Sequence, residues 1–213
     1  MMKTGLYLVV DASIERNELL KRVEKALKGG VDILQLWSNW GSYEEGKILA
    51  KELMKLSRNY GAPLIINNDY KLALDVGADG VHFDGYETLP SEIKRLRKDI
   101  IVGYTIGNSI ERAVWAEQVG ADYISFCACF PSSSVTECEI VPLSTVAEAK
   151  RRLKIPVFAS GGISLKNIDQ VLAKGIDGVA VISAILKADD PETAARSFKS
   201  KILEYRSAKA VSV

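Results

Sequence analysis

Short apolar runs alternate with amphipathic helical runs along the whole sequence, and this alternation restricts the fold more than any other feature. Most of the apolar runs are uninterrupted, which is typical of parallel strands buried on both faces. Each is followed by a helical pattern, from NELLKRVEKALK after the first to PETAARSFKSKILEYR after the last. Eight such pairs predict an α/β fold, a (β/α)8 or TIM barrel, with residues 1–213 forming a single domain. The strand candidates are GLYLVV, DILQLW, PLIIN, GVHFD, IIVGYT, YISFCA, PVFAS and GVAVIS.

The alternative is an open doubly wound sheet, which also alternates strands with helices but usually stops at about five or six strands. Four phrases favour the barrel: GGVDILQ, VGADGVHF, VGADYISF and KGIDGVAV. In each, a helix ends at a glycine that can adopt the left-handed conformation, and an aspartate then leads into a strand. These aspartates lie at the amino-terminal ends of strands, where we expect them to serve stability rather than catalysis. They are Asp32, Asp79, Asp122 and Asp177.

Composition argues against several classes of partner. Lys and Arg number 28 against 27 Asp and Glu, so a net charge of +1 gives no field that would attract nucleic acid or an anionic membrane. Cys127, Cys129 and Cys138 match neither a disulfide framework nor a metal-binding template, which indicates reduced thiols. The amino-terminal apolar run is too short for a signal peptide or a membrane span. We therefore expect a cytoplasmic protein.

The phrase IPVFASGGIS predicts a phosphate site at the carboxyl end of the seventh strand. Gly161 and Gly162 would let backbone amides approach an anion, and Ser164 is predicted to cap the helix that follows. Ile182 and Ser183 end the eighth strand, and strands seven and eight together form the usual phosphate site of TIM barrels. The alternative is that the two glycines only form a tight turn.

Several motifs, in order and with compatible spacing from about residue 5 to 198, resemble the thiamine-phosphate synthase family. They are LYLVVD, QL, LIINN followed by LALDVGADGVH, GADYISF with FPSSS, IPVFASGGIS with Asn167, and GVAVISAI followed by DDPETAA. The resemblance implies a transferase that joins a pyrimidine, carried as its diphosphate ester, to a thiazole phosphate. The family releases pyrophosphate with the help of Mg²⁺.

This chain departs from the family pattern where the family carries positive charge. Trp37 and Asn39 stand where the family has an arginine and a lysine, and Val135 stands at the place of a second lysine. The chain thus resembles a divergent member that lacks the usual cations for the diphosphate. Because a departing diphosphate needs cations in a dry site, we expect weakened or altered activity.

The uncharged part of the family's site is retained. Hydroxyl groups at Thr105, Ser132 and Ser134 are the predicted catalytic groups, and Gln35 and Asn67 are predicted to bind substrate. The resemblance implies metal ligation by the residues at positions 68 and 87, here Asn68 and Glu87, with Asp69 or Asp84 as further oxygen ligands. A Mg²⁺ site built in this way is predicted to be weak.

Two residue types in this region have open roles. Trp37 and Asn39 are both predicted to bind substrate. Trp37 could stack on a heterocycle or could only pack beneath a loop. For Trp40, packing beneath a loop is the expectation. His82, the single histidine, could transfer protons near neutral pH or could be hydrogen-bonded inside the barrel.

Three functions are therefore compatible with the sequence. The first is a thiamine-phosphate synthase-like transferase, the second is an isomerase of a small phosphate ester that uses His82 or Glu87, and the third is a non-catalytic binder of thiamine-related phosphates. The predicted partner is a small phosphorylated heterocyclic substrate, and no binding to nucleic acid or to a membrane is expected. The chain could also form a homodimer.

Overall fold

A computed structural model describes residues 2–132 and 139–211 and contains eight strands with helices between them. The first half of the chain forms β1 Leu6–Asp11, α1 Arg16–Lys28, β2 Ile33–Ser38, α2 Tyr43–Asn59, β3 Leu64–Asn67, α3 Tyr70–Val76, β4 Gly80–Phe83 and α4 Pro90–Leu96. The second half forms β5 Ile101–Ile106, α5 Ile110–Gln118, β6 Tyr123–Phe126, α6 Leu143–Arg152, β7 Val157–Ala159, α7 Ile168–Leu172, β8 Gly178–Val181, α8 Ser183–Leu186 and α9 Pro191–Val211.

The eight strands close into one barrel in sequence order, and every neighbouring pair is parallel. Closure is completed where β1 pairs with β8, with Tyr7 opposite Ala180. The prediction of a (β/α)8 barrel is therefore confirmed, and an open doubly wound sheet is excluded. The carboxyl ends of all eight strands meet at one rim, which is the rim that carries the chemistry in such barrels.

The four aspartates at the amino-terminal rim tie neighbouring strands together. Each accepts a hydrogen bond of 2.8 Å from a backbone amide at or near the start of the preceding strand: Asp32 from Leu6, Asp79 from Leu64, Asp122 from Val102 and Asp177 from Val157. Lysines from the outer helices pair with three of the four carboxylates. The glycines before them all have positive φ, from +71° to +103°, as their loop role requires. The prediction of a structural role for these aspartates agrees with these contacts.

Apolar side chains form two layers. The larger cluster fills the space between the strands and the surrounding helices, with residues such as Leu19, Val23 and Leu53 fully buried. The smaller cluster fills the barrel interior and includes Ile65 and Phe158. Because both faces of each strand are covered, the strands consist mostly of apolar residues, as the sequence indicated.

Two local predictions differ from the structure near the seventh and eighth strands. Ser164 does not cap α7, which begins later, after Asn167. The Asn167 side chain accepts a hydrogen bond from the Ser164 amide and donates one to the Gly162 carbonyl oxygen, and these bonds hold the intervening residues in a turn. The structure also contains α8, a short helix immediately after β8 that the sequence pattern did not indicate.

Candidate functional site

A cavity of about 360 Å³ opens at the carboxyl-terminal rim of the barrel. Its volume falls in the range of small-molecule sites, roughly 300–1,000 Å³. Most of its residues come from strand ends or the loops that follow them, so the fold converges their side chains on one space. The residues that line it are Tyr7, Val9, Gln35, Trp37, His82, Asp84, Thr105, Ser125, Cys127, Ser132, Ser160, Gly161, Gly162, Ile163 and Ala180 to Ala184.

The loop after β7 brings backbone amides to one side of this cavity. Gly161 and Gly162 have φ values of +82° and +63°, a region that other residues rarely adopt. A Cβ at Gly161 would lie 2.6 Å from Ala128 Cα, and one at Gly162 would lie 2.6 Å from the Phe130 carbonyl oxygen. Glycine is therefore required here both by conformation and by the close approach of the loop after β6.

This loop lies beside the end of β8, so the two predicted phosphate segments line the same cavity. Within the described chain, no other protein group accepts a hydrogen bond from the amides of Gly162 and Ile163. Ser183 begins α8, so its amide is among those that a helix leaves without an intrahelical partner. Amides of this kind, converging on one space, can bind an anion such as a phosphate group.

A closed circuit of side-chain hydrogen bonds, which we call the polar ring, forms the polar part of the site inside the barrel. It joins seven residues drawn from six successive strands and the loop after β4. In order around the circuit, they are Asp84, Asn67, Gln35, Tyr7, Tyr123, His82 and Thr105, and the last closes back on Asp84. The seven links measure between 2.7 and 2.9 Å. Each polar side chain of the ring therefore has a hydrogen-bonding group on either side of it within the barrel.

Burial decides the protonation of the aromatic members of the polar ring. Removal from water lowers the pKa of His82 to about 4, with the Asp84 carboxylate opposing that shift, so the imidazole is neutral at pH 7. Burial likewise raises the pKa of the Tyr7 and Tyr123 hydroxyl groups, so both keep their hydrogen. Both ring nitrogens of His82 are hydrogen-bonded, one to Tyr123 and the other to Thr105. This arrangement agrees with the alternative of a histidine that is hydrogen-bonded inside the barrel. His82 also lines the cavity.

The side-chain oxygens that were predicted to bind a metal either have hydrogen-bond partners within the protein or belong to residues that do not line the cavity. Asn68 has a φ of +56°, and its amide exchanges two hydrogen bonds with Asp84. Asp69 accepts a hydrogen bond from the Leu72 amide and so caps α3. The Glu87 carboxylate folds back against Gly85. Within residues 2–132 and 139–211, no group of three or more His, Cys, Asp or Glu side chains is arranged to hold a metal ion.

The remaining predicted residues fall into three groups. Trp37 and Ser132 line the cavity, and Trp37 also packs against the interior cluster. Asn39 is exposed, has a φ of +65° and donates a hydrogen bond to Asp11, and it is not part of the cavity lining. Ser134 lies outside the described residues.

The other tryptophans and the cysteines have structural positions. Trp40 lies against α2, where a Cβ at Gly46 would be 2.5 Å from its indole ring, in agreement with the predicted packing role. Burial raises the pKa of the Cys129 thiol to about 12, so the reactive thiolate form is scarce at neutral pH. Cys127 is only partly buried and lines the cavity. Cys138 is outside the described residues.

Sequence reasoning missed the central members of the polar ring. Asp84 was considered only as a metal ligand, yet its carboxylate accepts hydrogen bonds from Asn67, Asn68 and Thr105. Tyr123 was not singled out, although it is fully buried and joins Tyr7 to His82. A usable signal was present, because Gln35, Asn67 and His82 are polar residues within or at the end of otherwise apolar strand candidates.

The family model described as thiamine monophosphate synthase matches residues 6–185 of this chain. The chain belongs to this family. Among curated relatives, a thiamine-phosphate synthase of Desulfitobacterium hafniense is 39% identical over 196 residues, covering 90% of this chain and 94% of the relative. One of Thermoplasma acidophilum is 34% identical over 201 residues, covering 94% and 93%.

The fold is also that of a solved family member. A thiamine phosphate pyrophosphorylase from Pyrococcus furiosus superposes with a TM-score of 0.86 at 30% identity, covering 95% of this chain and 96% of that one. A 3-hexulose-6-phosphate synthase, at 18% identity and a TM-score of 0.73, shares the fold alone. No helix in the described part of the chain combines the length and apolar character needed to cross a membrane.

The residues that line the cavity carry little formal charge. Asp84 is the only residue with a formal charge among the described residues that line the cavity, and no lysine or arginine is among them. The lining therefore combines anion-binding amides on one side with a carboxylate and neutral polar groups on the other.

Proposed function

We propose that the protein binds a heterocyclic monophosphate at the glycine loop and couples a pyrimidine, carried as its diphosphate ester, to a thiazole phosphate. The observation that carries the proposal is the convergence of Gly161, Gly162 and Ser183 on one cavity that is also lined by Trp37 and by five of the seven members of the polar ring. Membership of the family supports the reaction type. The amides serve the phosphate, whereas Trp37 offers an aromatic surface to a ring.

The coupling is proposed to be slow, because charge is missing where the diphosphate must leave. A leaving diphosphate accumulates negative charge, and donors held in place around such charge usually supply the largest catalytic contribution. Loss of even one such donor costs about 10²- to 10³-fold in rate. Trp37 and Asn39 carry no charge, and Trp37 occupies the cavity lining where a cation would be useful.

Mg²⁺ could supply part of the missing charge. Asn68, Asp84 and Glu87 offer the hard oxygen atoms that Mg²⁺ prefers, and these three residues are the ones that we propose would hold it. Asn68 and Asp84 already hydrogen-bond to each other, so a cation must displace those bonds. When bound, Mg²⁺ would neutralise charge on the diphosphate. The proposed metal site is correspondingly weak.

A second candidate function is binding of a thiamine-related phosphate without reaction. The specific observation in its favour is the lack of Lys and Arg among the described residues of the cavity lining. Such a binder needs the glycine loop and the aromatic surface but not the cations. Isomerisation by His82 has less support, because burial keeps His82 neutral and both ring nitrogens already have partners.

The test is to restore the family's charges. A triple variant carries the substitutions Trp37→Arg, Asn39→Lys and Val135→Lys. This variant and the unmodified protein are assayed for formation of thiamine phosphate from the two substrates over a range of Mg²⁺ concentrations. We expect slow product formation by the unmodified protein and an increase of at least about 100-fold in the variant. Asn59→Lys, at the exposed end of α2, is the control for added charge away from the cavity.

The outcomes separate the two candidates. Calorimetric titration with thiazole phosphate is run on the same samples. Tight binding without product in the unmodified protein at any Mg²⁺ concentration would assign it as a binder. Absence of binding to thiazole phosphate and to thiamine phosphate would contradict both functions.

A further inference from the structure

The polar ring contains fewer hydrogens than links, and the shortage can be located by following hydrogen-bond direction from Asp84. A carboxylate can only accept hydrogen bonds. Asn67 must therefore turn its amide nitrogen toward Asp84, which it does at 2.7 Å. Its oxygen then accepts from Gln35 Nε2, so Gln35 Oε1 faces Tyr7 and accepts from the Tyr7 hydroxyl. Along this branch, each residue donates its hydrogen toward Asp84. The bond from Tyr7 to Gln35 therefore uses the single hydroxyl hydrogen of Tyr7.

The other branch from Asp84 is fixed in the same way. Thr105 donates its single hydroxyl hydrogen to Asp84 Oδ1 at 2.9 Å. Thr105 Oγ1 must then accept from His82 Nε2, 2.8 Å away, so the hydrogen of the neutral imidazole lies on Nε2. His82 Nδ1 is left as an acceptor and faces the Tyr123 hydroxyl at 2.8 Å. This branch also points toward Asp84.

The two branches meet at Tyr123, which has one hydrogen and two neighbours that need it. Tyr7 Oη lies 2.9 Å from Tyr123 Oη, on the side opposite His82 in the circuit. Nδ1 has one lone pair, in the ring plane, whereas a hydroxyl oxygen has two. Tyr123 therefore donates to His82, and Tyr7 Oη receives no hydrogen from the ring. The seven links contain six hydrogens.

The two hydroxyl oxygens of the link without a hydrogen differ in their relation to the cavity. Tyr7 is among the residues that line the cavity and Tyr123 is not, although both side chains are fully buried from solvent. A buried acceptor without a donor is costly, and a bound molecule with an N–H or O–H group removes that cost. Apolar groups of similar shape cannot do so, so the difference appears as selectivity.

We propose that Asp84 is a positioning residue that orients the whole polar ring, fixes the Nε2–H tautomer of His82 and leaves Tyr7 Oη as an acceptor for a hydrogen-bond donor on the bound heterocycle. Asp84 acts through the ring, by deciding the direction of bonds that end at the opposite side of the barrel. The inference rests on the proposed function only for the choice of pyrimidine probes.

Asp84→Asn provides a sharp test, because it adds the one hydrogen that the ring lacks. With the amide oxygen still accepting from Asn67 and Asn68, the new NH₂ group donates to Thr105. Thr105 then donates to His82 Nε2, His82 donates from Nδ1 to Tyr123, and Tyr123 donates to Tyr7. Seven hydrogens now serve seven links, and the tautomer of His82 is reversed.

The tautomer can be measured directly, because His82 is the only histidine in the chain. Nitrogen-15 NMR of histidine-labelled protein at pH 7 is expected to show the Nε2–H form in the unmodified protein and the Nδ1–H form in Asp84→Asn. Asp11→Asn, a carboxylate near the same rim but outside the ring, is the control and should leave the Nε2–H form unchanged. Tyr123→Phe is a second variant, and it should also keep the Nε2–H form because the Thr105 branch is intact.

Binding supplies the second readout. 4-Aminopyrimidine and 4-methylpyrimidine have similar shapes, but only the first carries a donor. We expect the unmodified protein to bind the amino compound with a dissociation constant about 5-fold lower than that of the methyl compound, which is the ratio that one net hydrogen bond supplies. In Asp84→Asn, the ratio of the two dissociation constants should fall to about one.

An Nδ1–H or doubly protonated His82 in the unmodified protein, or an unchanged tautomer in Asp84→Asn, would overturn the proposed orientation. Equal dissociation constants for the two pyrimidines in the unmodified protein would refute the ligand-facing acceptor. Neither readout requires turnover, so failure of the coupling reaction is distinguishable from failure of this inference.

Discussion

Replacement of Gly162 by alanine should damage both the fold and the phosphate site, and the structure allows the two effects to be separated. The new Cβ would lie 2.6 Å from the Phe130 carbonyl oxygen and closer still to that of Pro131. Carbon and oxygen normally approach to about 3.3 Å. The loops after β6 and β7 must therefore separate by at least about 0.7 Å, which moves the amides that face the cavity.

The energetic cost has two contributions. An alanine held at positive φ costs about 1–2 kcal/mol, and overpacking costs about 1–3 kcal/mol more. The total of about 2–5 kcal/mol corresponds to a decrease in Tm of about 4–20 °C for a chain of this size. Gly77→Ala is the matched control, since Gly77 has a φ of +71° against +63° for Gly162, but a Cβ there would meet no atom within 4 Å. It should show the first contribution only.

Thermal unfolding with and without thiazole phosphate measures both effects. At a ligand concentration of about 100 times Kd, binding stabilises the folded state by about 2.7 kcal/mol. Gly77→Ala should keep that increase in Tm, and Gly162→Ala should lose most of it. Equal destabilisation by the two substitutions would refute the close approach of the loops, and an undiminished ligand effect in Gly162→Ala would refute the assignment of the phosphate site.

Two further predictions concern stability. Asp177→Ala should lower the free energy of unfolding by about 1–3 kcal/mol in urea, because it leaves the Val157 amide without its partner. Asp99→Ala, at a side chain that is 87% exposed, should have little effect, and equal losses would contradict a role for the rim aspartates. The second prediction concerns pH. His82 is protonated near pH 6.5 in the unfolded chain but only near pH 4 in the folded chain. The free energy of unfolding should therefore fall by about 3 kcal/mol as the pH is lowered from about 6.5 to about 4. His82→Gln should lack this contribution, and identical pH profiles for the two proteins would refute neutral burial.

The barrel could be predicted from the sequence because each strand is covered on both faces and therefore consists mostly of apolar residues. The aspartates before the strands could also be assigned, since a glycine and an aspartate recur at the same point of four loops. The start of α7 could not, because the Asn167 side chain binds the backbone of Ser164 and Gly162 and delays the helix. Local propensity does not include such competition.

The composition of the candidate site was only partly predictable. Gln35, Asn67, Thr105 and the two glycines come from positions that the family resemblance indicated, and they lie in or around one cavity. The polar ring was missed because its links join residues that are distant in sequence, up to 116 positions apart for Tyr7 and Tyr123. Its key member, Asp84, was considered only as a metal ligand, because the sequence does not show which side chains its carboxylate meets.

The four carboxylates at the amino-terminal rim have a consequence for how such a chain can change over evolutionary time. They align strands two by two at the end of the barrel far from the cavity, so the alignment does not depend on the loops that hold the ligand. Substitutions at positions on the opposite rim, such as those of Trp37 and Asn39, can therefore accumulate with little penalty in folding. Such a scaffold can keep its fold while the chemistry at the cavity changes.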